Sequence, residues 1–124
     1  MALKKRILLA DDSVTALTMH RLILGGAGYE LLTAQDGQEA VEIATAERPD
    51  LILMDVVMPR KTGFEAVRAL RKQEETKTIP VIMVTTRAEE KVIEICFQCG
   101  CNDYVNKPVD GAVLLAKVRS VLGN

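Results

Sequence analysis

Asp11, Asp12, Asp55, Thr85 and Lys107 are the residues whose types and placing suggest shared chemistry. Three carboxylates brought to one place repel one another, so such a cluster holds a cation or shifts its own ionisation. Two or three hard acidic oxygens completed by water suit Mg²⁺. A phosphoryl group arriving on a carboxylate needs its developing charge neutralised, its oxygens hydrogen-bonded and its attacker held in line. A metal ion, the Lys107 ammonium and the Thr85 hydroxyl could meet those needs.

Residues so far apart in sequence converge only if the fold gathers them. Short β-branched runs alternate with longer segments of helical period, the pattern of repeated βα units around a parallel sheet. Strands are expected at Arg6 to Ala10, Tyr29 to Ala34, Leu51 to Met54 running into Asp55, Pro80 to Val84 ending in Thr85 and Thr86, and Asp103 to Val105. Helices are expected from Ser13 to Leu24, Gly37 to Glu47, Phe64 to Lys72, Ala88 to Gln98 and Gly111 to Leu122. Right-handed crossovers place helices on both faces, giving an α/β three-layer sandwich with all strand C-termini along one edge. Each site residue falls at that edge. Taken singly they are bland: Asp12 could cap a helix, Thr85 could be a strand residue and Lys107 before Pro108 could sit in a solvated turn. Together they are not.

The 124 residues suit one domain spanning 1–124, and 16 basic against 17 acidic residues, interspersed, predict neither nucleic-acid nor membrane binding through bulk charge. No secretory leader or membrane span is read, and three cysteines in such a chain imply reduced thiols. Cys96, Cys99 and Cys101 lack a convincing fourth metal ligand and read as packing. His20 reads as a packing or surface residue of the first helix rather than a phosphohistidine. Leu17, Leu22, Ile23 and Leu24 are assigned mostly to the core, and Arg68, Arg71 and Lys72 to a solvated face.

Asp11-Asp12, the run Leu53-Met54-Asp55-Val56-Val57-Met58-Pro59 with Gly63, Thr85, and Asp103-Tyr104-Val105-Asn106-Lys107-Pro108 together resemble the response regulator receiver family, CheY-like signalling domains of two-component systems. The resemblance covers essentially the whole chain. It implies the flavodoxin-like fold, a five-stranded parallel sheet of order 2-1-3-4-5, the order for which a member of this family is a standard illustration. It also implies that Asp55 is the phosphoacceptor. Asp12, Asp55 and the backbone carbonyl of Val57 would bind Mg²⁺, or Mn²⁺ in its place, with Asp11 acting chiefly through water. Lys107 would pair with the carboxylate and then the phosphoryl oxygens, Thr85 would close on the phosphoryl group, and Tyr104 would be the aromatic switch.

The same resemblance implies partners. The donor would be a sensor histidine kinase or histidine phosphotransfer protein, met in part through the exposed side of the first helix. The downstream effector would meet the surface of helix 4, strand 5 and helix 5, including Arg87, Lys91, Ile95 and Tyr104. A cytoplasmic monomer, or a weak phosphorylation-dependent dimer, is expected. Three positions individualise the site: Thr86 stands where relatives carry a small residue, usually Ala, while Val57 and Arg87 fall at variable places that influence the lifetime of the acyl phosphate. An Asp-based phosphohydrolase is a rival, weakened because Val57 stands where such enzymes carry a second acid. A receiver-fold binding module working without phosphate is another. The sequence ends shortly after the fifth helix, at Gly123-Asn124, and fits either a stand-alone regulator or a piece of a longer protein.

Overall fold

The computed structural model describes residues 4–86 and 89–123. Arg87, and Ala88 as the expected start of the fourth helix, lie outside the described residues. The elements run β1 (Arg6–Ala10), α1 (Val14–Gly26), β2 (Glu30–Ala34), α2 (Gly37–Glu47), β3 (Leu51–Asp55), α3 (Gly63–Arg71), β4 (Val81–Thr85), α4 (Glu90–Cys99), β5 (Asp103–Asn106) and α5 (Gly111–Leu122). All neighbouring strands pair in parallel, in the order β2-β1-β3-β4-β5.

Alternation along the central strands divides the core. Ile7, Leu9, Leu51, Leu53, Ile82 and Val84 pack with Leu17 and Leu24 of α1 and Leu114 and Val118 of α5. Leu8, Ile52, Met54, Val81 and Met83 face Ala40 and Ala44 of α2, Ala66, Val67 and Leu70 of α3, and Cys96 and Cys99 of α4. Strands β3 and β4 are buried throughout, as expected when helices cover both faces. Small residues on α2 let that helix lie close to the sheet.

Differences from the sequence reading have local causes. Helix α1 runs on through Gly25 and Gly26, because neither adopts a positive φ there and the turn comes with Gly28 at φ 94°. Gly63 rather than Phe64 opens α3, with Thr62 as its cap in a capping box with Glu65. Cys99 rather than Gln98 closes α4, ahead of Gly100 in the left-handed region.

Two assignments are corrected. Leu22 is 73% exposed, since it points away from the sheet between the inward Leu17 and Leu24. Arg71 is half-buried rather than on a solvated face: its guanidinium donates to the carbonyls of Gly100 (3.0 Å) and Ile79 (2.7 Å) and to Asn102 Oδ1 (3.2 Å), clamping α3 to the segments flanking β4 and β5. The three free cysteines are buried in this region, where burial pushes the Cys101 thiol up to about 12 and makes it a poor nucleophile.

Candidate functional site

The sheet's C-terminal edge carries the cluster. Asp11 follows β1, and its backbone N–H donates to the Ala34 carbonyl (3.0 Å), extending the β1–β2 pairing by one residue. Its side chain is almost fully buried, with Oδ1 accepting from the Ser13 N–H (2.9 Å). Ser13 in turn caps α1 by accepting from Ala16 N. One carboxylate oxygen of Asp11 is thus committed to the turn that starts α1, leaving the other for the site.

Asp55 ends β3 and is 6% exposed. Helix α3 begins hard against it: a Cβ on Gly63 would collide with the Asp55 carbonyl oxygen, so the close approach requires glycine. Lys107 lies in the β5–α5 connection before a cis peptide bond to Pro108. Its backbone N–H donates to the Thr85 carbonyl (2.8 Å), tying the lysine to the end of β4. Its Nζ stands 2.7 Å from Asp11 Oδ2 and 3.5 Å from Asp55 Oδ1.

Asp11, Asp12 and Asp55 each offer a carboxylate oxygen within 4.8 Å of the others, with Asp12 exposed and the other two buried. Asp12, Asp55, Val57, Thr85, Thr86 and Lys107 line a cleft of 430 Å³. Thr85 is buried within it, whereas the Val57 side chain is 73% exposed at the rim. The predicted residues Asp11, Asp12, Asp55, Val57, Thr85 and Lys107 therefore converge.

Burial pushes the Asp55 carboxyl up to about 6; the Asp11 charge adds to the rise, Lys107 opposes it, and Asp12 adds a little. Burial alone would lower Lys107, but its close pairing with Asp11 and the charges of Asp55 and Asp11 outweigh it and raise its pKa. One ammonium faces three carboxylates, and Asp11 Oδ2, although ion-paired with Lys107, is buried without a well-directed hydrogen bond. A hard cation bound through oxygens would relieve both the repulsion and that buried atom, so the donor set fits a divalent metal such as Mg²⁺.

Tyr104 is not part of the cleft. It lies half-buried on β5, its ring edge-to-face with Phe97 of α4 at 6.4 Å and beneath Lys117 Nζ at 4.8 Å. Lys117 also donates to Asp103 Oδ1 (3.0 Å) and the Tyr104 carbonyl (2.7 Å). Sequence reasoning missed Lys117, a half-buried residue of α5 whose place in the helix next to the last strand was a usable signal. His20 is buried beside the site: with Ser13, Ala16, Met19, Lys107 and Pro108 it lines a 300 Å³ apolar pocket, and burial lowers its pKa, favouring the neutral imidazole.

A doubly wound parallel sheet with an acid-lined cleft and a lysine at its C-terminal edge defines an α/β domain whose cleft suits a divalent metal and an anionic group. Residues 7–119 match the family model of the response regulator receiver domain. Protein PilH of Pseudomonas aeruginosa is 43% identical over 117 residues, 94% of this chain and 97% of that protein. The polar-differentiation response regulator DivK of Brucella anthropi is 33% identical, covering 97% of this chain and 98% of DivK. The regulatory protein PhoP of Bacillus subtilis is 35% identical, but the chain spans 49% of its length.

Among solved structures, the Vibrio cholerae chemotaxis protein CheY4 superposes with a TM-score of 0.92 at 37% identity, covering 97% of this chain and all of CheY4. The receiver domain of the sensor histidine kinase PA1611 from Pseudomonas aeruginosa, solved with magnesium coordinated in its active-site cleft, gives 0.91 at 34% identity, covering 98% of this chain and all of that one. The chain belongs to the response regulator receiver family. It is a phosphorylation-dependent signalling switch of a two-component system, with histidine kinases as the partner class. None of its described helices is long and apolar enough to cross a membrane.

Proposed function

We propose that Asp55 is the residue that accepts the phosphoryl group, donated by a phosphohistidine on a sensor kinase or a phosphotransfer protein. The observation that carries this is the meeting of Asp11, Asp12, Asp55 and Lys107 at one edge of the sheet, Asp55 being the carboxylate of the three that is both buried at a strand end and lining the cleft. An Asp55 carboxylate oxygen attacks phosphorus in line with the breaking bond to the histidine nitrogen, which keeps the electron pair and leaves as a neutral imidazole because the ring's other nitrogen carries a proton. Lys107 neutralises charge on the transferring oxygens while staying paired with Asp11. Thr85, at the end of β4, donates its hydroxyl to a phosphoryl oxygen.

Asp12, Asp55 and the Val57 carbonyl would hold Mg²⁺ or Mn²⁺, with Asp11 supporting through water. Bound there, the cation would supply charge neutralisation across the transferring group. The chain thus catalyses its own loading and unloading and is a signalling protein rather than a metabolic enzyme. Movement of Thr85 towards the phosphate would free space for Tyr104 to reorient, altering the face of α4, β5 and α5 that an effector reads. Exposed Val14 and Met19 on α1 suit the kinase side. A cytoplasmic single receiver, monomeric or weakly dimeric when phosphorylated, completes the proposal.

The test is incorporation of phosphate from a small acyl phosphodonor. Labelling should require the divalent metal, vanish with Asp55→Asn and fall sharply with Lys107→Ala. Full labelling in the presence of a chelator would overturn the proposal.

A further inference from the structure

The β3–α3 connection, residues 56–62, is held at both ends and in the middle. Val56 donates to the Val84 carbonyl (3.0 Å), Gly63 donates back to the Val56 carbonyl (2.8 Å), and a tight turn joins Lys61 N–H to the Pro59 carbonyl (2.7 Å). Its middle is docked on the N-terminus of α2. Arg60, with φ at 67°, places Nε 3.5 Å from Asp36 Oδ1, the cap of α2, and Lys61 Nζ donates to Gln38 Oε1 (3.2 Å). Beneath these polar ties the Lys61 backbone lies directly on Gly37. A Cβ there would overlap the Lys61 carbonyl oxygen and stand 2.6 Å from both its carbonyl carbon and its Cβ. These obstacles are mostly backbone, which cannot rotate away.

We propose that Gly37 is a positioning residue for the metal site: its absent side chain lets Lys61 seat on α2 and so fixes the loop that presents the Val57 carbonyl. The inference rests on Val57 being a metal ligand as proposed above. Gly37 opens α2 without a positive φ, so alanine there is compatible with the helical backbone and favoured by helix propensity. Gly37→Ala therefore isolates the collision. Either the loop lifts off α2, or α2 shifts and draws the loop with it through the Arg60–Asp36 and Lys61–Gln38 ties, and the segment carrying Val57 moves relative to Asp12 and Asp55.

Mg²⁺ demands near-ideal octahedral geometry, whereas Ca²⁺ accepts variable ligand number and longer, flexible bonds. A displaced carbonyl must therefore penalise Mg²⁺ more than Ca²⁺, which a general loss of stability would not do.

The experiment is calorimetric titration of the chelator-treated full chain with MgCl₂ and with CaCl₂, beside its melting temperature in chelator. Gly37→Ala should weaken Mg²⁺ at least about tenfold, the low end for changes behind a metal ligand, and Ca²⁺ by about threefold or less. Gly26→Ala, whose Cβ would meet nothing within 4 Å, should leave both affinities as in the wild type. Should Gly37→Ala fail to fold, Arg60→Ala combined with Gln38→Ala severs the polar ties instead and should still lower the Mg²⁺ to Ca²⁺ affinity ratio. Equal weakening of both metals, or an unchanged ratio in the variant that folds, overturns the positioning role. A wild type that binds no Mg²⁺ overturns the metal site itself, a different failure.

Discussion

Replacing Asp55 by Asn should make the metal-free protein more stable at neutral pH. The Asp55 carboxyl sits at about 6, roughly two units above an ordinary aspartate, and each unit is worth about 1.4 kcal/mol, so the ionised form costs the fold about 3 kcal/mol. Water entering the cleft screens part of this, leaving about 1.5 kcal/mol as the expected gain. Lys107 keeps its 2.7 Å partner Asp11 in the variant, so no lone buried ammonium offsets the gain.

The sign follows from a raised folded-state pKa. Below about pH 4 the carboxyl is protonated in both states and costs nothing; the penalty grows between pH 4 and 6 and is complete above it. The entropy of unfolding for a domain of this size converts 1.5 kcal/mol into a rise of about 5 °C in melting temperature. Thermal unfolding in chelator at pH 7.5 and pH 4 measures it. Mg²⁺ at about ten times its Kd should give the wild type roughly 1.4 kcal/mol and close most of the gap. A variant that melts below the wild type at pH 7.5, or whose advantage is the same at pH 4, would refute the reasoning.

Further outcomes follow from the same geometry. Lys107→Ala leaves the buried Asp11 and Asp55 without the ammonium that pairs them and should cost about 3 kcal/mol in chelator, with Mg²⁺ restoring more stability than it gives the wild type, as urea unfolding will show. Arg71→Ala removes charge-assisted hydrogen bonds to Gly100, Ile79 and Asn102 and should destabilise by about 2–3 kcal/mol while leaving Mg²⁺ affinity within about twofold. Leu22→Ser should change stability by less than about 0.5 kcal/mol in the same assay, because that side chain already faces water.

The sheet was legible because Leu51 to Met54 and Val81 to Val84 are unbroken apolar runs, which need helices on both faces and therefore a parallel order of βα units. The site was legible because every polar residue of interest falls at a strand's C-terminal end, so the topology alone gathers Asp11, Asp55, Thr85 and Lys107. What stayed hidden depends on direction rather than residue type. Leu22 looks like its inward neighbours until the phase of α1 is fixed, and Arg71 looks like Arg68 until the Gly100 turn is seen to lie under its guanidinium. Gly37 reads as an ordinary helix start, since only a loop from elsewhere in the chain makes its missing side chain matter. The near-neutral ionisation of Asp55 likewise required its burial to be known.

The most direct measurement is to load the protein with a small acyl phosphodonor and Mg²⁺, trap the acyl phosphate by borohydride reduction and map the reduced residue by mass spectrometry. Reduction at Asp55 alone, absent when the metal is chelated, is the result predicted here. Reduction at Asp11 or Asp12, or a phosphoryl group found on His20 instead, would contradict the account.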